Sequence, residues 1–301
     1  MLTTPDRKLL MIDAKNLCHR VHWSHRNLFH QGKHVSVLFG FFKSLIGLKK
    51  NYADHLFVVA WDGGHDRRTR ESNDGVAQGI IASAYKENRK RNEEPDENYQ
   101  SLLDQMDELK QALALVRVFQ VDMQGVEADD VIYSYTVKNS DRGGKTTIIT
   151  SDKDFYQLLK LGVVLHDPLN SEVWTRQRFC QEFAFEPELW VDVGALQGDK
   201  GDNIHGVDGW GPVTAMKYVR EHGGIDAVFD AVRSKSKRTK KEDVLLASEK
   251  KVRLAKSLKR MDFMPHVPKL RFTSTFESAP LEKFFLRYRF ASLLKDIGRL
   301  L

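Results

Sequence analysis

Along the first two-thirds of the chain, short apolar runs alternate with stretches of helical spacing. Residues 8–12 form a brief apolar run, 55–61 (HLFVVAW) a continuous one, 116–121 a third and 145–150 (KTTIIT) a β-branched fourth. Unbroken runs of this length belong to strands covered on both faces, as in a parallel sheet. Between them, residues 35–50, 99–115, 128–138 and 155–161 repeat their apolar positions at helical intervals. Strand–helix alternation predicts a doubly wound α/β fold, with a mostly parallel central sheet, helices on both faces and right-handed crossovers. From about Phe179 the pattern turns helical, and Gly198, Gly201, Gly206, Gly209 and Gly211 crowd together. The expected organisation is an α/β core over residues 1–178 and a smaller helical region over 179–301.

Composition narrows the class. Of 301 residues, 41% are hydrophobic and 29% charged, the balance of a soluble globular protein with a sizeable core. No apolar run approaches the ~18 residues of a membrane span. The richest stretch, 37–48, is broken by Lys43, and the run at 9–12 ends at Asp13, which is no signal peptide. Two cysteines, Cys18 and Cys180, make no disulfide framework, so a cytoplasmic protein is expected. Net charge is +6, from 47 basic against 41 acidic residues. This balance admits an acidic partner such as nucleic acid, or simply a basic surface.

The acids are placed more tellingly than they are counted. Asp13 follows the first strand, Asp62 the second, and Asp152 the fourth, with Asp154 two residues on. In an open parallel sheet, ligands bind at the carboxyl ends of the strands. The third strand leads into GVEADD, where Glu127 and Asp130 share a face of a helix start and Asp129 lies in its first turn. Any one of these acids reads equally as a helix cap. As a set they do not. Two unit charges ~4 Å apart repel by about 4 kcal/mol at an effective dielectric of ~20. Six or more carboxylates on one edge need cations, and hard divalent ions such as Mg²⁺ or Mn²⁺ suit all-oxygen ligands. A further acidic turn, GDKGDN, holds Asp199 and Asp202. Taken alone it is an Asx-capped turn. It runs into GVDGWGPVTA, where glycines before a helix start offer N–H groups to a phosphate.

In this order, LLMIDAKN, FVVAWD, YKENR, GVEADD, TSDKDF and GDKGDNIHGVDGWGPVTA resemble the 5′-nuclease superfamily of flap endonucleases and 5′→3′ exonucleases. The likeness covers roughly residues 8–265 and is greatest to the stand-alone phage type and to the N-terminal nuclease domain of bacterial DNA polymerase I. It implies two divalent ions, Mg²⁺ with Mn²⁺ able to substitute. Asp13, Asp62, Glu127 and Asp129 would form the first cluster, with Asp152 between the two. Asp130, Asp154, Asp199 and Asp202 would complete the second or its surroundings. In two-metal hydrolysis one ion activates water and the other stabilises the leaving oxygen. The products would carry a 5′-phosphate and a 3′-hydroxyl. Setting these nine acids aside leaves 47 bases against 32 acids, or +15, a surface suited to a polyanion.

The resemblance also implies a helical arch, at about 63–98, through or under which single-stranded 5′ ends pass. Lys86 and Arg89 would hold the scissile phosphate, Tyr85 would stack on a base, and Arg20 and Arg68 would sit near the active phosphate. Read without the likeness, the same stretch is a solvated helix with one buried tyrosine. Residues 198–222 resemble a helix–hairpin–helix that grips the duplex backbone through Gly206, Gly209, Gly211, Thr214 and Lys217, its turn carbonyls holding K⁺. Such contacts position DNA without reading sequence. Expected partners are 5′-flap, nicked or gapped DNA, RNA–DNA hybrids and replication proteins, for a monomer with no membrane association and no polymerase domain. The rivals are a mainly 5′→3′ duplex exonuclease or RNase H-like primer remover, and a non-catalytic DNA-junction binder, against which the full set of nine acids argues.

Some features depart from the pattern. The span from Asp62 to Lys86 is long for the family, with extra residues around 72–82, and Val213 stands where many relatives carry lysine. Cys18 and His22 are four apart in a histidine-rich stretch that fits no closed zinc motif and reads better as a surface near DNA. The basic run 233–241 is either a solvated loop or a duplex contact. The amphipathic stretch 281–301 is expected to pack on the body, with partner binding as the lesser reading.

Overall fold

A computed structural model describes residues 8–90, 97–270 and 276–301, with the side chains of Arg89 and Lys90 outside that description. The strands are β1 (Lys8–Asp13), β2 (Phe29–His30), β3 (Lys33–His34), β4 (Leu56–Trp61), β5 (Phe119–Asp122), β6 (Lys145–Ile149), β7 (Val164–Asp167) and β8 (Glu172–Trp174). Six of them form one sheet in the order β5-β4-β1-β6-β7-β8, and β2 and β3 form a small hairpin of their own. Every pairing in the large sheet is parallel except β7 with the edge strand β8. The apolar runs are unbroken because both faces are covered. Leu9, Met11, Val58 and Ala60 point into one core; Leu10, Ile12, Val59 and Trp61 point into the other.

The second core is closed by α1 (Ala14–Ser24), α2 (Ser36–Asn51) and α5 (Glu97–Leu113), and by the C-terminal α13 (Ser278–Arg287) and α14 (Ala291–Leu294). Leu281, Phe285, Phe290, Leu293 and Leu300 are buried there, and the Phe285 ring meets Phe42 edge-on at 5.0 Å. The C-terminal stretch thus packs on the body, as its amphipathic spacing predicts. The first core takes α6 (Ala128–Ser140) and a 3₁₀ helix (Lys153–Leu161) that Asp152 caps. It continues through α7 (Arg176–Phe183), α8 (Trp190–Gln197), α9 (Pro212–His222), α10 (Ile225–Arg233), α11 (Lys240–Ala247) and α12 (Glu249–Lys259).

Two elements differ from the sequence pattern. The strand expected at 116–121 begins only at Phe119. Val116 and Val118 are apolar for burial rather than pairing, and the Arg117 amide donates to the Leu300 carbonyl at 2.8 Å. Cys18 is no surface residue either: it is fully buried in the second core, and His22 is buried with Nδ1 2.9 Å from Ser36 Oγ. Between β4 and α5 lie α3 (Asp66–Ala77) and the single turn α4 (Glu87–Lys90). The long span after Asp62 is folded back on α12, where Gly75 leaves room for Leu254. No helix among the described residues is long and apolar enough to cross a membrane.

Candidate active site

The carboxyl edge of the sheet opens into a cavity of about 860 Å³. Its wall brings together Asp13, Asp62, Glu127, Asp129, Asp152, Asp154 and Asp202, seven of the nine acids singled out from the sequence, with Lys15, Arg68, Lys86 and Lys259 among them. Local structure holds each acid. Asp13 ends β1 and caps α1, accepting from the Asn16 amide at 3.2 Å and from Thr150 Oγ1 at 3.1 Å. Asp62 follows β4 and accepts from the Ala128 amide at 2.9 Å, which ties the β4 end to the start of α6. Asp152 turns back onto the Asp154 amide at 2.8 Å. Asp199 accepts from the Gly201 and Asp202 amides at 2.9 and 3.2 Å.

The chain's own cations divide these acids unequally. Arg68, 2% exposed, reaches Glu127, Asp129 at 3.0 Å and Asp130 at 3.3 Å, while its Nε donates to the Leu258 carbonyl. Lys86 and the Tyr85 hydroxyl both donate to Glu127 Oε1. Lys15 lies 3.2 Å from Asp62. Lys259 spans Asp154 and Asp199. Asp13 and Asp152 have no ion pair among the described residues.

The titration of the acids follows from this division. Burial, with Asp62 and Asp152 nearby, pushes Asp13 up to about 7. Loss of surrounding water and the Asp154 charge raise Asp152 to about 6. Asp129 is driven to about 8 by burial and by Asp130 and Glu127, against the pull of Arg68. For Glu127 burial is outweighed by Arg68 and Lys86, and for Asp62 by Lys15 and the Ala128 amide, so both lie below their ordinary values. Among the described residues no three His, Cys, Asp or Glu side chains surround one ion position. The cations of the chain fill the gaps between them. A buried carboxylate without a counter-ion, as at Asp13, in an all-oxygen set is what a hard divalent ion fits.

Residues 8–184 match the family described as "5'-3' exonuclease, N-terminal resolvase-like domain", and residues 185–274 match "5'-3' exonuclease, C-terminal SAM fold". The chain belongs to the 5′-3′ exonuclease family. It is 31% identical over 220 residues to a 5′-3′ exonuclease of Aquifex aeolicus, covering 72% of this chain and 71% of that one. It is 30% identical over 234 residues to the Bacillus subtilis 5′-3′ exonuclease, covering 75% and 74%. Against the thermostable DNA polymerase I of Thermus thermophilus it is 28% identical over 305 residues, 99% of this chain but only 34% of the polymerase. Among solved structures, T5 5′-exonuclease with bound zinc has a TM-score of 0.68 at 20% identity, covering 98% of this chain and 99% of that one. The catalytic core of Rad2 in complex with DNA substrate has 0.61 at 16%, covering 98% and 92%. The class expected from the sequence, a nuclease of the 5′-3′ exonuclease type, therefore stands, and so does its mostly parallel α/β fold.

Within this exonuclease-family fold the remaining candidates fall in different places. Lys86 lines the cavity in a left-handed backbone (φ 55°), a strained setting for a non-glycine residue, with its amide on the Asp202 carbonyl at 2.9 Å. The Tyr85 ring is buried and its hydroxyl also lies 3.4 Å from Asp202, so it braces carboxylates from within. Arg89 belongs to α4, and its side chain lies outside the described residues, as do residues 91–96 of the expected arch. Asp130 stands behind the wall, accepting from the Asp262 amide at 2.7 Å. Arg20 is not brought to the cavity: it pairs with Asp167 at 3.1 Å. The glycine-rich turn joins α8 to α9. Gly206 has no side chain because a Cβ there would fall 2.3 Å from the Gly198 nitrogen, and Gly209 takes φ 76°. Gly211 caps α9 ahead of Pro212, Thr214 is half-buried, and Lys217 and Val213 are exposed. In the basic run, Lys235 and Arg238 pair with Glu242 and Asp243 at the start of α11. Lys15, Asn16 and Lys259 were not singled out from the sequence. Lys15 and Asn16 adjoin Asp13 in LLMIDAKN, which was a usable signal. Lys259 carries none, since its partner Asp154 is 105 residues away.

Proposed function

We propose that this chain is a divalent-metal-dependent, structure-selective 5′ nuclease. It hydrolyses phosphodiesters at 5′ flaps, nicks and RNA primers on DNA, with Mg²⁺ as the working ion and Mn²⁺ able to substitute. The observation that carries this reading is the convergence of seven acids from three strand ends, a helix start and the glycine-rich turn on one cavity that also holds Lys86 and Arg68. The chemistry the ions supply when bound is activation of water and stabilisation of the leaving oxygen. Asp13, Asp62, Glu127, Asp129 and Asp152 are the residues suited to hold them. Lys86 is placed to meet a phosphate oxygen once Glu127 is engaged elsewhere, and Arg68 orients Glu127 and Asp129. The turn between α8 and α9, with exposed Lys217, is suited to duplex backbone, and K⁺ at its carbonyls belongs to the same reading. A zinc-bearing T5 5′-exonuclease and a DNA-bound Rad2 core of the same fold support it.

The test is cleavage of an end-labelled 5′-flap duplex by the purified chain, with Mg²⁺ and with EDTA, beside Asp13→Ala. Cutting that requires both metal and Asp13 supports the reading. One released flap indicates endonuclease action, and mononucleotides with short oligomers indicate the duplex exonuclease. Tight binding with no cleavage in Mg²⁺ or Mn²⁺ would refute the catalytic reading and leave a junction-binding protein.

A further inference from the structure

The acids of the edge are not all neutralised alike: Asp154 and Asp199 share Lys259, whereas Asp13 and Asp152 have no ion pair among the described residues. Lys259 closes α12, and its side chain is 7% exposed. The lysine's aliphatic stem lies against α8 at Gly194, where a Cβ would lie 3.2 Å from Lys259 Cε. The ammonium donates to Asp154 Oδ2 at 2.6 Å and to Asp199 Oδ2 at 2.9 Å. Gln157 anchors the lysine's backbone, its side-chain amide donating to the Lys259 carbonyl at 3.3 Å. Asp199 is fixed in turn by two backbone amides. One buried ammonium thus joins an acid in the first turn of the 3₁₀ helix after β6 to an acid of the glycine-rich turn. Asp13, on the same cavity wall, is as buried but has no ion pair among the described residues.

The two pairs of acids therefore offer a divalent ion different terms. At Asp13 and Asp152 an ion meets carboxylates that hydrogen bonds hold but no ion pair among the described residues neutralises. Between Asp154 and Asp199 it meets a pair already reduced by one unit of charge, and it must displace an ammonium that would be stranded in a buried place. We propose that Lys259 is a built-in counter-ion for the Asp154–Asp199 pair, supplying one of the two positive charges a second divalent ion would bring. The chain accordingly binds one divalent ion tightly on the Asp13–Asp152 side and the second weakly. Lys259 is a positioning residue in this account, and the proposal rests on the metal-dependent reading above.

The experiment is Mn²⁺ binding to the substrate-free protein, followed by the electron paramagnetic resonance of free Mn²⁺ and by calorimetry. It is run on the wild type, Lys259→Met, Lys259→Arg and Asp199→Asn, with thermal unfolding to confirm that each is folded. The wild type is expected to bind one Mn²⁺ tightly. Lys259→Met should gain a second site at least roughly tenfold tighter than the wild type's second, since a buried charge is no longer displaced. Lys259→Arg should keep the wild-type isotherm, and Asp199→Asn should keep the tight ion. Identical isotherms for wild type and Lys259→Met would overturn the proposal. So would loss of the tight ion in Asp199→Asn, an arm that decides the matter even if Lys259→Met does not fold. Absence of Mn²⁺ binding in all four proteins would overturn the metal-dependent reading and this proposal with it.

Discussion

Arg68→Met is the sharpest perturbation of the acid edge, because it removes a guanidinium that Glu127, Asp129 and Asp130 share and keeps most of the apolar stem. In the native chain Arg68 is 2% exposed and holds Glu127, Asp129 at 3.0 Å and Asp130 at 3.3 Å. Without it, three acids face one another with only Lys86 on Glu127 and Arg67, 3.9 Å from Asp130, left to compensate among the described residues. Leaving buried charge uncompensated costs about 3–5 kcal/mol. At roughly 2–4 °C per kcal/mol for large single-domain chains, melting should fall by about 6–20 °C in EDTA. Millimolar Mg²⁺ should recover most of that loss, because the ion supplies positive charge to the same carboxylates. Arg68→Lys should recover only part, since an ammonium cannot bridge planar carboxylates as a fork does. The assay is thermal unfolding by circular dichroism of the three proteins in EDTA and in Mg²⁺. A loss below about 2 °C in EDTA, or an equal loss in both buffers, would refute the charge argument; the scale is that of ordinary surface substitutions.

Three further outcomes are expected. In EDTA the wild type should become less stable as pH rises from about 4 to 8: Asp13 and Asp129, raised to about 7 and about 8, bind more protons folded than unfolded across that window, and Mg²⁺ should flatten the profile. A melting temperature that climbs with pH in EDTA would reverse the sign and remove the reasoning. Gly206→Ala should cost about 1–3 kcal/mol by chemical denaturation, because its Cβ would fall 2.3 Å from the Gly198 nitrogen and 2.5 Å from the Leu196 carbonyl oxygen. It should also weaken duplex affinity in a filter-binding assay, and a neutral result in both would separate the turn from the duplex. Phe285→Ala empties a fully buried site against Phe42 and should cost about 3–5 kcal/mol, with cleavage at low temperature near wild type. A loss of cleavage without loss of stability would argue against a purely packing role for α13.

The sequence by itself determined the sheet and the acids on its edge. A strand buried on both faces must be apolar throughout, and the first charged residue after it necessarily lies at its carboxyl end; Asp13, Asp62 and Asp152 are legible for that local reason. GVEADD was legible as a helix start for the same reason. What the tertiary structure decided is which cation answers which acid. Arg68 reaches Glu127 from 59 residues away, and Lys259 reaches Asp154 from 105. Arg20, only two helical turns beyond Asp13, goes instead to Asp167. Charge pairing depends on how helices cross the sheet, and no local spacing encodes that. The buried Tyr85 and Cys18 make the same point: a polar or reactive side chain on an amphipathic stretch has two faces open to it, and only packing against the rest of the chain chooses between them.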